Sequence, residues 1–183
     1  FDLEMNQRNA WQYQIQHLRQ ELNNFTEGRV FFEFSIPRMG KRADVILSLK
    51  NIIFILEYKV GANQGDRSGL DQVHDYALDL KNFHVGSHEC HIVPILIPTE
   101  TEQIYQVCQF EKDKVASPIT ISPERLATIL SETLRANNTS AMIPSDWSSS
   151  SYKPTPTIIE AAKTLFAGHS VKEITRSESG AIN

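Results

Sequence analysis

The stretch KRADVILSLKNIIFILEYKVGAN, residues 41–63, decides the fold of this chain. Most of it is apolar and β-branched, which predicts two buried β-strands. The dipeptide Lys50-Asn51 separates them and predicts a two-residue turn, because asparagine tolerates the left-handed backbone that such a turn can require. Two carboxylates and an ammonium group nevertheless lie within these runs, at Asp44, Glu57 and Lys59. Buried strands seldom carry such groups, so their presence needs a reason.

The predicted turn sets the register of the two strands. A two-residue turn makes Leu49 face Ile52, and counting outward from this pair places Asp44 opposite Glu57. Directly opposed residues have Cβ atoms about 4.5–5.5 Å apart. Glu57 and Lys59 are two positions apart on one strand, so they share a face of the sheet. The sequence therefore predicts that Asp44, Glu57 and Lys59 converge at one point.

The charges of these three residues indicate a metal-assisted reaction. Two opposed carboxylates repel each other, and a divalent cation relieves the cost of ionising both in a half-buried place. Oxygen ligands suit Mg²⁺ or Mn²⁺, and an adjacent ammonium group can orient water or stabilise a charged transition state. This combination suits phosphodiester hydrolysis. The plain alternative is a set of solvated ion pairs, with Asp44 beside Lys41 or Arg42, and Glu57 beside Lys59.

The periodicity of the rest of the chain predicts an α/β sandwich around a mixed sheet. In chain order we predict a helix (5–24), three strands (29–36, 43–50 and 51–60), a helix (69–83) and a strand (91–99). Residues 106–110 and 115–122 are candidate short strands, and Ser122-Pro123 predicts the start of a further helix. A last helix is predicted at 157–168, with one more turn at 170–177. The order α-β-β-β-α-β favours antiparallel hairpin strands followed by a crossover helix.

Length, charge and composition narrow the class of protein. The 183 residues suffice for one domain with a real core. The net charge of −4 argues against holding nucleic acid by bulk positive charge, but not against a nucleic-acid enzyme with a local basic patch and a metal ion. No apolar run reaches the roughly 20 residues of a membrane span. Two cysteines do not make a disulfide framework, so we expect buried thiols and a cytoplasmic setting.

Asp44, followed by the tripeptide Glu-Tyr-Lys at residues 57–59 on the next strand, resembles the signature of the PD-(D/E)XK nuclease superfamily. The order of the core elements also matches that superfamily. Gln72 and Tyr76, one helical turn apart, resemble the Gln-x-x-x-Tyr element of its RecB-like branch. One departure is that proline stands at Pro37 rather than directly before Asp44. The resemblance implies a restriction-endonuclease-like fold, with a central mixed sheet flanked by helices.

Longer stretches resemble the N-terminal region of bacterial proteins that join a nuclease-like domain to a Schlafen-group-3-like DNA/RNA helicase domain. They are IPRMGKRADVIL, ILEYKVGAN, DQVHDYALDLKNFH and, at the end, EITRSESGAIN. This resemblance covers most of the chain and implies a nuclease-like domain at 1–144. Residues 145–183 would form a linker and a C-terminal helix leading towards a helicase domain. Because the chain has no Gly-Lys-Ser/Thr motif of an ATP-binding P-loop, we expect that it lacks this motor.

The resemblance also implies roles for the site residues. Asp44 and Glu57 would bind Mg²⁺, for which Mn²⁺ can substitute, together with the backbone carbonyl of Tyr58. Lys59 would be the catalytic lysine, and Gln72 with Tyr76 would position water or the DNA backbone. A glutamate of the first helix often completes such sites, which makes Glu21 the candidate. Glu33 on the neighbouring strand is its rival, depending on the register of the sheet.

Basic residues near the predicted site are candidates for contacts with the nucleic-acid backbone. They are Arg38, Lys41 and Arg42 in one cluster, and Arg67 in the glycine-rich loop 61–69. The plain alternative is a solvated turn. We interpret the first-helix stripe of Trp11, Ile15, Leu18 and Leu22 as core rather than as a stacking platform. His84, His88, Cys90 and His91 match no paired-ligand zinc motif, and a polar loop before a strand is the preferred interpretation.

The sequence thus predicts a Mg²⁺-dependent nuclease acting on DNA, with RNA or tRNA left open as the substrate. A binding module that keeps the fold but only guides a helicase or another protein is the alternative. An oligomer is compatible with either interpretation. Endonucleolytic and exonucleolytic cleavage are both compatible with this prediction, as are roles in defence and in repair.

Overall fold

Five strands form one mixed sheet in the order β1-β2-β3-β4-β5, and helices pack on both of its faces. A computed structural model describes residues 2–167. The strands are β1 (Arg29–Ile36), β2 (Lys41–Leu49), β3 (Ile52–Lys59), β4 (His91–Pro98) and β5 (Ile119–Thr120). The helices are α1 (Asp2–Glu21), α2 (Arg67–Phe83), α3 (Leu126–Asn137) and α4 (Pro156–Phe166). The predicted α/β class with a mixed sheet is confirmed.

The hairpin formed by β2 and β3 has the predicted register. Leu49 pairs with Ile52, and β2 runs antiparallel to both β1 and β3. The residue with a left-handed backbone in the turn is Lys50, with φ of 56°, whereas Asn51 was expected to supply this conformation. After β3 the chain crosses over through α2, and β4 lies parallel to β3. Hairpin strands followed by a crossover helix are therefore confirmed.

The side chains of β3 alternate between two apolar cores. Phe54, Leu56 and Tyr58 pack with α1 and α3, whereas Ile53 and Ile55 pack with α2. Each fully buried large aliphatic side chain stabilises the fold by roughly 1.5–3 kcal/mol. Because successive residues of a strand point to opposite faces, the residue between Leu56 and Tyr58 lies on the α2 face. The sheet therefore presents Glu57 to α2.

Helix α2 begins at Arg67, two residues before the predicted start, because Asp66 caps it. The Asp66 carboxylate accepts the N–H of Gly69 at 2.8 Å. A Cβ at Gly69 would lie 2.9 Å from the Leu96 side chain, so glycine permits the close approach of α2 to β4. The cap and the close contact together fix the height of α2 above the sheet.

Helix α1 buries a different face from the predicted one. Of the predicted stripe, Leu18 is buried and Leu22 is half-buried, but Trp11 and Ile15 are each 42% exposed. Gln14 and His17 are buried instead. The His17 ring nitrogens lie 2.9 Å from the Tyr58 hydroxyl and 2.7 Å from the Pro123 carbonyl. Because both ring nitrogens have a hydrogen-bond partner, His17 can be buried without an unsatisfied polar atom. The spacing of apolar residues along α1 does not predict these two partners.

The elements after β4 are shorter than expected. Of the candidate strands at 106–110 and 115–122, the structure has the two-residue β5 and two isolated bridges, Phe110 with Ala116 and Val115 with Ile92 of β4. The Ser122 hydroxyl accepts the N–H of Ile104 rather than capping a helix, and a single 3₁₀ turn, Pro123–Arg125, precedes α3. Among residues 2–167 no helix is both long and apolar enough to cross a membrane.

The packed core extends beyond residue 144, the predicted domain boundary. Trp147 is fully buried, and its indole N–H donates to the Ser87 hydroxyl at 2.9 Å. The N–H of Lys153 donates to the Phe83 carbonyl at 2.7 Å. Helix α4 follows and has no buried residues. The predicted turn at 170–177 and the family-like stretch at 173–183 lie outside the described residues.

Candidate active site

Strands β2 and β3 separate where their acidic residues begin. Main-chain pairing ends at Val45 and Leu56. The next donor of β3, the N–H of Tyr58, is accepted by the Asp44 carboxylate at 2.9 Å. One step beyond the last pair, Asp44 stands opposite Glu57, in the predicted register. The carboxylate therefore takes the place that a carbonyl of β2 would fill in a continued ladder.

Glu57 is buried with only part of its hydrogen-bonding capacity used. It is 6% exposed. Its Oε1 accepts the Gln72 amide at 3.2 Å and lies 3.8 Å from the Lys59 ammonium. Its Oε2 is buried and makes no full hydrogen bond within residues 2–167, although the Asp44 backbone N–H lies near enough to this carboxyl to lower its pKa. Since an unpaired buried carboxylate oxygen is costly, the site is short of one positive group or donor.

The raised pKa values of Asp44 and Glu57 also indicate that the site lacks positive charge. Burial and, next, the charge of Asp44 raise the pKa of Glu57 to about 8. Burial also raises the pKa of Asp44, while the hydrogen bond from the Tyr58 N–H opposes this shift. Lys59 lowers the pKa of both groups, but less than burial raises it. The pair therefore ionises with difficulty unless a further cation is present.

Gln72 and Tyr76 face the same way, as their spacing on α2 predicts. The Gln72 amide donates to the Tyr76 hydroxyl at 2.7 Å, as well as to Glu57. Tyr76 is 1% exposed and belongs to the core under α2. A connected row thus runs from Tyr76 through Gln72 to Glu57. Its geometry orients Glu57 Oε1 towards the helix and leaves Oε2 on the other side of the carboxylate.

Glu21, the expected third acid, lies on the opposite face of the sheet. Its Oε2 accepts the N–H of Ala127 at 2.9 Å, in the first turn of α3. It lines a cavity of about 560 Å³ together with other residues of α1 and with Thr99 and Glu124. Since α1 and α3 pack on the Tyr58 side of β3, this position separates Glu21 from Glu57. The structure therefore does not bring Glu21 to the site.

The rival acid, Glu33, is the one that the sheet places beside the pair. It lies on β1 between Phe32 and Phe34, which pair with Val45 and Ala43 of β2. The position across from Glu33 in this register is therefore Asp44. The negative charge of Glu33 contributes to the raised pKa of both Asp44 and Glu57. No apolar pattern in the sequence distinguishes Glu33 from Glu21, because the distinction depends on the register of β1.

The side chains of the site supply only some of the ligands that a divalent cation needs. Within residues 2–167 no three His, Cys, Asp or Glu side chains stand close enough together to hold a metal ion. Mg²⁺ nevertheless commonly uses one or two carboxylates, several waters and substrate phosphates. The N–H and C=O of a strand residue share one edge, so the Tyr58 carbonyl points to the opening that Asp44 occupies. The Oε2 of Glu57 makes no full hydrogen bond within the described residues, and such a cation would satisfy it.

The four basic candidates divide into two kinds. Arg38 is held, because its guanidinium lies 3.0 Å from the buried Asp79 carboxylate and 3.4 Å from the centre of the Phe83 ring. Its first role is to neutralise a buried acid, which the sequence did not reveal. The other three, Lys41, Arg42 and Arg67, are exposed to solvent. Two of them have an acidic neighbour: Arg42 lies 3.9 Å from the Glu33 carboxylate and Arg67 lies 3.8 Å from the Asp71 carboxylate. These three stay free enough to meet a phosphate backbone.

The histidine-rich stretch after α2 serves the packing of the chain. His84 is buried between the rings of Phe34, Trp147 and Tyr152, and its Nδ1 lies 2.7 Å from the Ser87 hydroxyl. Burial lowers the pKa of His84 to about 4, so the ring is neutral near pH 7. The part of the chain that the structure describes holds no metal-binding cluster here.

Comparison of the chain with family models, with curated proteins and with solved structures finds no match. The resemblance to nuclease–helicase proteins therefore stays a prediction.

Proposed function

We propose that this chain is a Mg²⁺-dependent nuclease module that hydrolyses phosphodiester bonds in DNA. The observation that carries the proposal is the buried Glu57 carboxylate, whose Oε2 makes no full hydrogen bond within residues 2–167. It stands beside Asp44 at the point where β2 and β3 separate, with the Lys59 ammonium 3.8 Å away. A restriction-endonuclease-like arrangement of the sheet is part of the same proposal.

Each residue of the site has a role that follows from its contacts. Asp44 and Glu57 would hold the cation with the Tyr58 carbonyl, and the bound cation would supply charge for a phosphate oxygen and a more acidic water. Lys59 is 35% exposed, so its ammonium group can reach both Glu57 and a phosphate in the opening. Gln72 fixes the orientation of Glu57 through Oε1. Lys41, Arg42 and Arg67 are exposed, so each could contact a phosphate of the substrate.

The test is a cleavage assay on labelled DNA and RNA, single- and double-stranded, in Mg²⁺, Mn²⁺ or EDTA. We expect metal-dependent cleavage of DNA that Asp44→Ala or Lys59→Ala reduces by at least 100-fold, as for groups acting in a transition state. Glu21→Gln is the matched control and should cleave like the wild type, because its amide oxygen still accepts from Ala127. Equal cleavage by Lys59→Ala and the wild type would defeat the assignment. Preferred cleavage of RNA would change the substrate and keep the site.

A binding module is the second candidate, favoured by one observation. Within the described residues no three acidic or histidine side chains are close enough to hold a metal ion alone. In this case the chain would bind DNA or a helicase domain and leave it intact. Measurable DNA affinity without turnover in either metal, and without effect of Asp44→Ala, would favour it over the nuclease.

A further inference from the structure

A cavity of about 560 Å³ lies on the α1 side of the sheet, on the opposite face from Glu57. Its wall comes from three parts of the chain, namely helix α1, the loop 99–102 after β4, and the 3₁₀ turn before α3. The loop is fastened to the end of β3, because the N–H of Thr99 donates to the Lys59 carbonyl at 3.1 Å. Small-molecule sites have volumes of roughly 300–1,000 Å³, so this cavity is large enough for a ligand.

The cavity carries negative charge that no basic side chain of residues 2–167 offsets. Four glutamates line it without any lysine or arginine beside them, namely Glu21, Glu100, Glu102 and Glu124. Within the same residues none of the four forms an ion pair. A cleft lined by charge of one sign concentrates ligands of the opposite sign. The cavity therefore favours a cationic ligand.

Two aromatic rings of α1 complete the wall beside these acids. The Tyr13 and His17 rings stack with their centroids 5.9 Å apart and their planes 12° from parallel. Burial, and next the charges of Glu124 and Glu21, raise the pKa of Tyr13, so negative charge from two parts of the wall reaches this ring. Aromatic faces attract cations, and they also pack against aliphatic chains. The wall thus suits a ligand with both characters.

A buried hydroxyl on the same wall lacks a partner and points to a ligand independently of the acids. Thr101 is 4% exposed, and its hydroxyl oxygen makes no hydrogen bond within residues 2–167. A buried hydroxyl without a partner is costly, so a donor supplied by a ligand would stabilise this part of the wall. An ammonium group provides positive charge and N–H donors together.

The distribution of the acids favours an extended cation over a metal ion. They come from α1, from the loop and from the 3₁₀ turn. Among residues 2–167 no three His, Cys, Asp or Glu side chains stand close enough together to hold a metal ion. One compact ion therefore cannot meet these carboxylates together. A chain that carries several ammonium groups can reach them one by one.

We propose that this cavity binds a linear polyamine, an aliphatic chain with several ammonium groups. Glu100, Glu102 and Glu124 would accept hydrogen bonds from the ammonium groups. The Thr101 hydroxyl would accept one further N–H, and the methylene groups would lie against the Tyr13 ring. This inference goes beyond the proposed function and does not depend on it, because the cavity and Glu57 lie on opposite faces of the sheet.

The first test titrates the purified chain with spermidine by calorimetry, without nucleic acid. We expect binding of one spermidine per chain, and about tenfold weaker binding by the double variant Glu102→Gln with Glu124→Gln. The matched control is Glu27→Gln with Glu160→Gln. It removes the same two charges from exposed positions outside the cavity and should bind spermidine like the wild type.

The second test uses Thr101→Val, which keeps the shape of the side chain and removes its hydroxyl. We expect about threefold weaker spermidine binding, because one acceptor is lost. Without spermidine this variant should unfold at a higher urea concentration than the wild type, because a buried hydroxyl without a partner is gone. A hydroxyl that serves only the fold predicts a lower urea midpoint with unchanged affinity, and that result would overturn its role.

The remaining outcomes decide whether the cavity takes a polyamine at all. A wild type that gives no binding heat with spermidine overturns the proposal, as do double variants that weaken binding equally inside and outside the cavity. A third titration uses a short arginine-rich peptide. Tighter binding of this peptide than of spermidine would replace the polyamine by the basic side chains of a protein. Cleavage of DNA by the wild type is expected whichever of these results is found.

Discussion

Glu57 shows at the level of one residue how this chain keeps a costly group in place. The carboxylate is buried, one oxygen makes no full hydrogen bond within residues 2–167, and burial with the neighbouring Asp44 raises its pKa to about 8. The unfolded chain has an ordinary glutamate there, with a pKa near 4.5. The folded protein therefore binds this proton more tightly. Its stabilising effect is full below about pH 4.5 and is lost as the pH rises to about 8.

We predict that Glu57→Gln stabilises the metal-free protein at alkaline pH. The gain in free energy of unfolding should grow between about pH 4.5 and 8 and level off above, at roughly 1–3 kcal/mol. Urea unfolding in EDTA at pH 6, 7, 8 and 9 measures it. Saturating Mg²⁺ should reverse the order, because only the wild type gains binding free energy. A difference between the two proteins that is the same at every pH contradicts the raised pKa of Glu57.

At the level of elements, the hairpin β2–β3 was predictable and helix α1 was not. A two-residue turn and the period-2 geometry of strands are local rules, so they placed Asp44 opposite Glu57 from the sequence alone. Helix α1 instead packs through His17, whose partners Tyr58 and Pro123 are 41 and 106 positions away. An apolar pattern says nothing about such partners. The choice between Glu21 and Glu33 as the third acid depends on contacts that are equally distant in the sequence. Only the pairing of β1 with β2 shows which of the two lies near Asp44.

The revised face of α1 gives a prediction for two substitutions on one helix. His17→Ala leaves the Tyr58 hydroxyl and the Pro123 carbonyl without their partner, so we expect a loss of about 2–3 kcal/mol of stability. Ile15→Ala, on the stripe that the sequence favoured, should cost less than about 1 kcal/mol because Ile15 is 42% exposed. Chemical denaturation of both variants provides the comparison. If Ile15→Ala is the more damaging change, α1 packs by its predicted stripe after all.

On the scale of the whole molecule, the chain after α3 closes the core rather than leaving it. The N–H of Val85 donates to the Ser151 carbonyl at 3.0 Å, and that of Thr155 to the Asn82 carbonyl at 2.9 Å. Trp147, which precedes these contacts in the chain, is fully buried against Phe31 and Phe34 of β1. The resemblance implied a linker in the region that starts at residue 145, where the sequence is rich in serine and proline. The burial of one large aromatic side chain therefore packs this segment against the core, despite its serine- and proline-rich composition.

Trp147 packs on Phe34 of β1, the residue that follows Glu33, and on His84, which directly follows α2. We predict that Trp147→Ala lowers the free energy of unfolding by about 3–5 kcal/mol. Phe166→Ala, at a residue that is 95% exposed on α4, should change it by less than about 0.5 kcal/mol. Thermal and urea unfolding measure both. If the tryptophan served only as part of a linker, the two substitutions would have equally small effects, and residue 144 would mark the end of the folded unit.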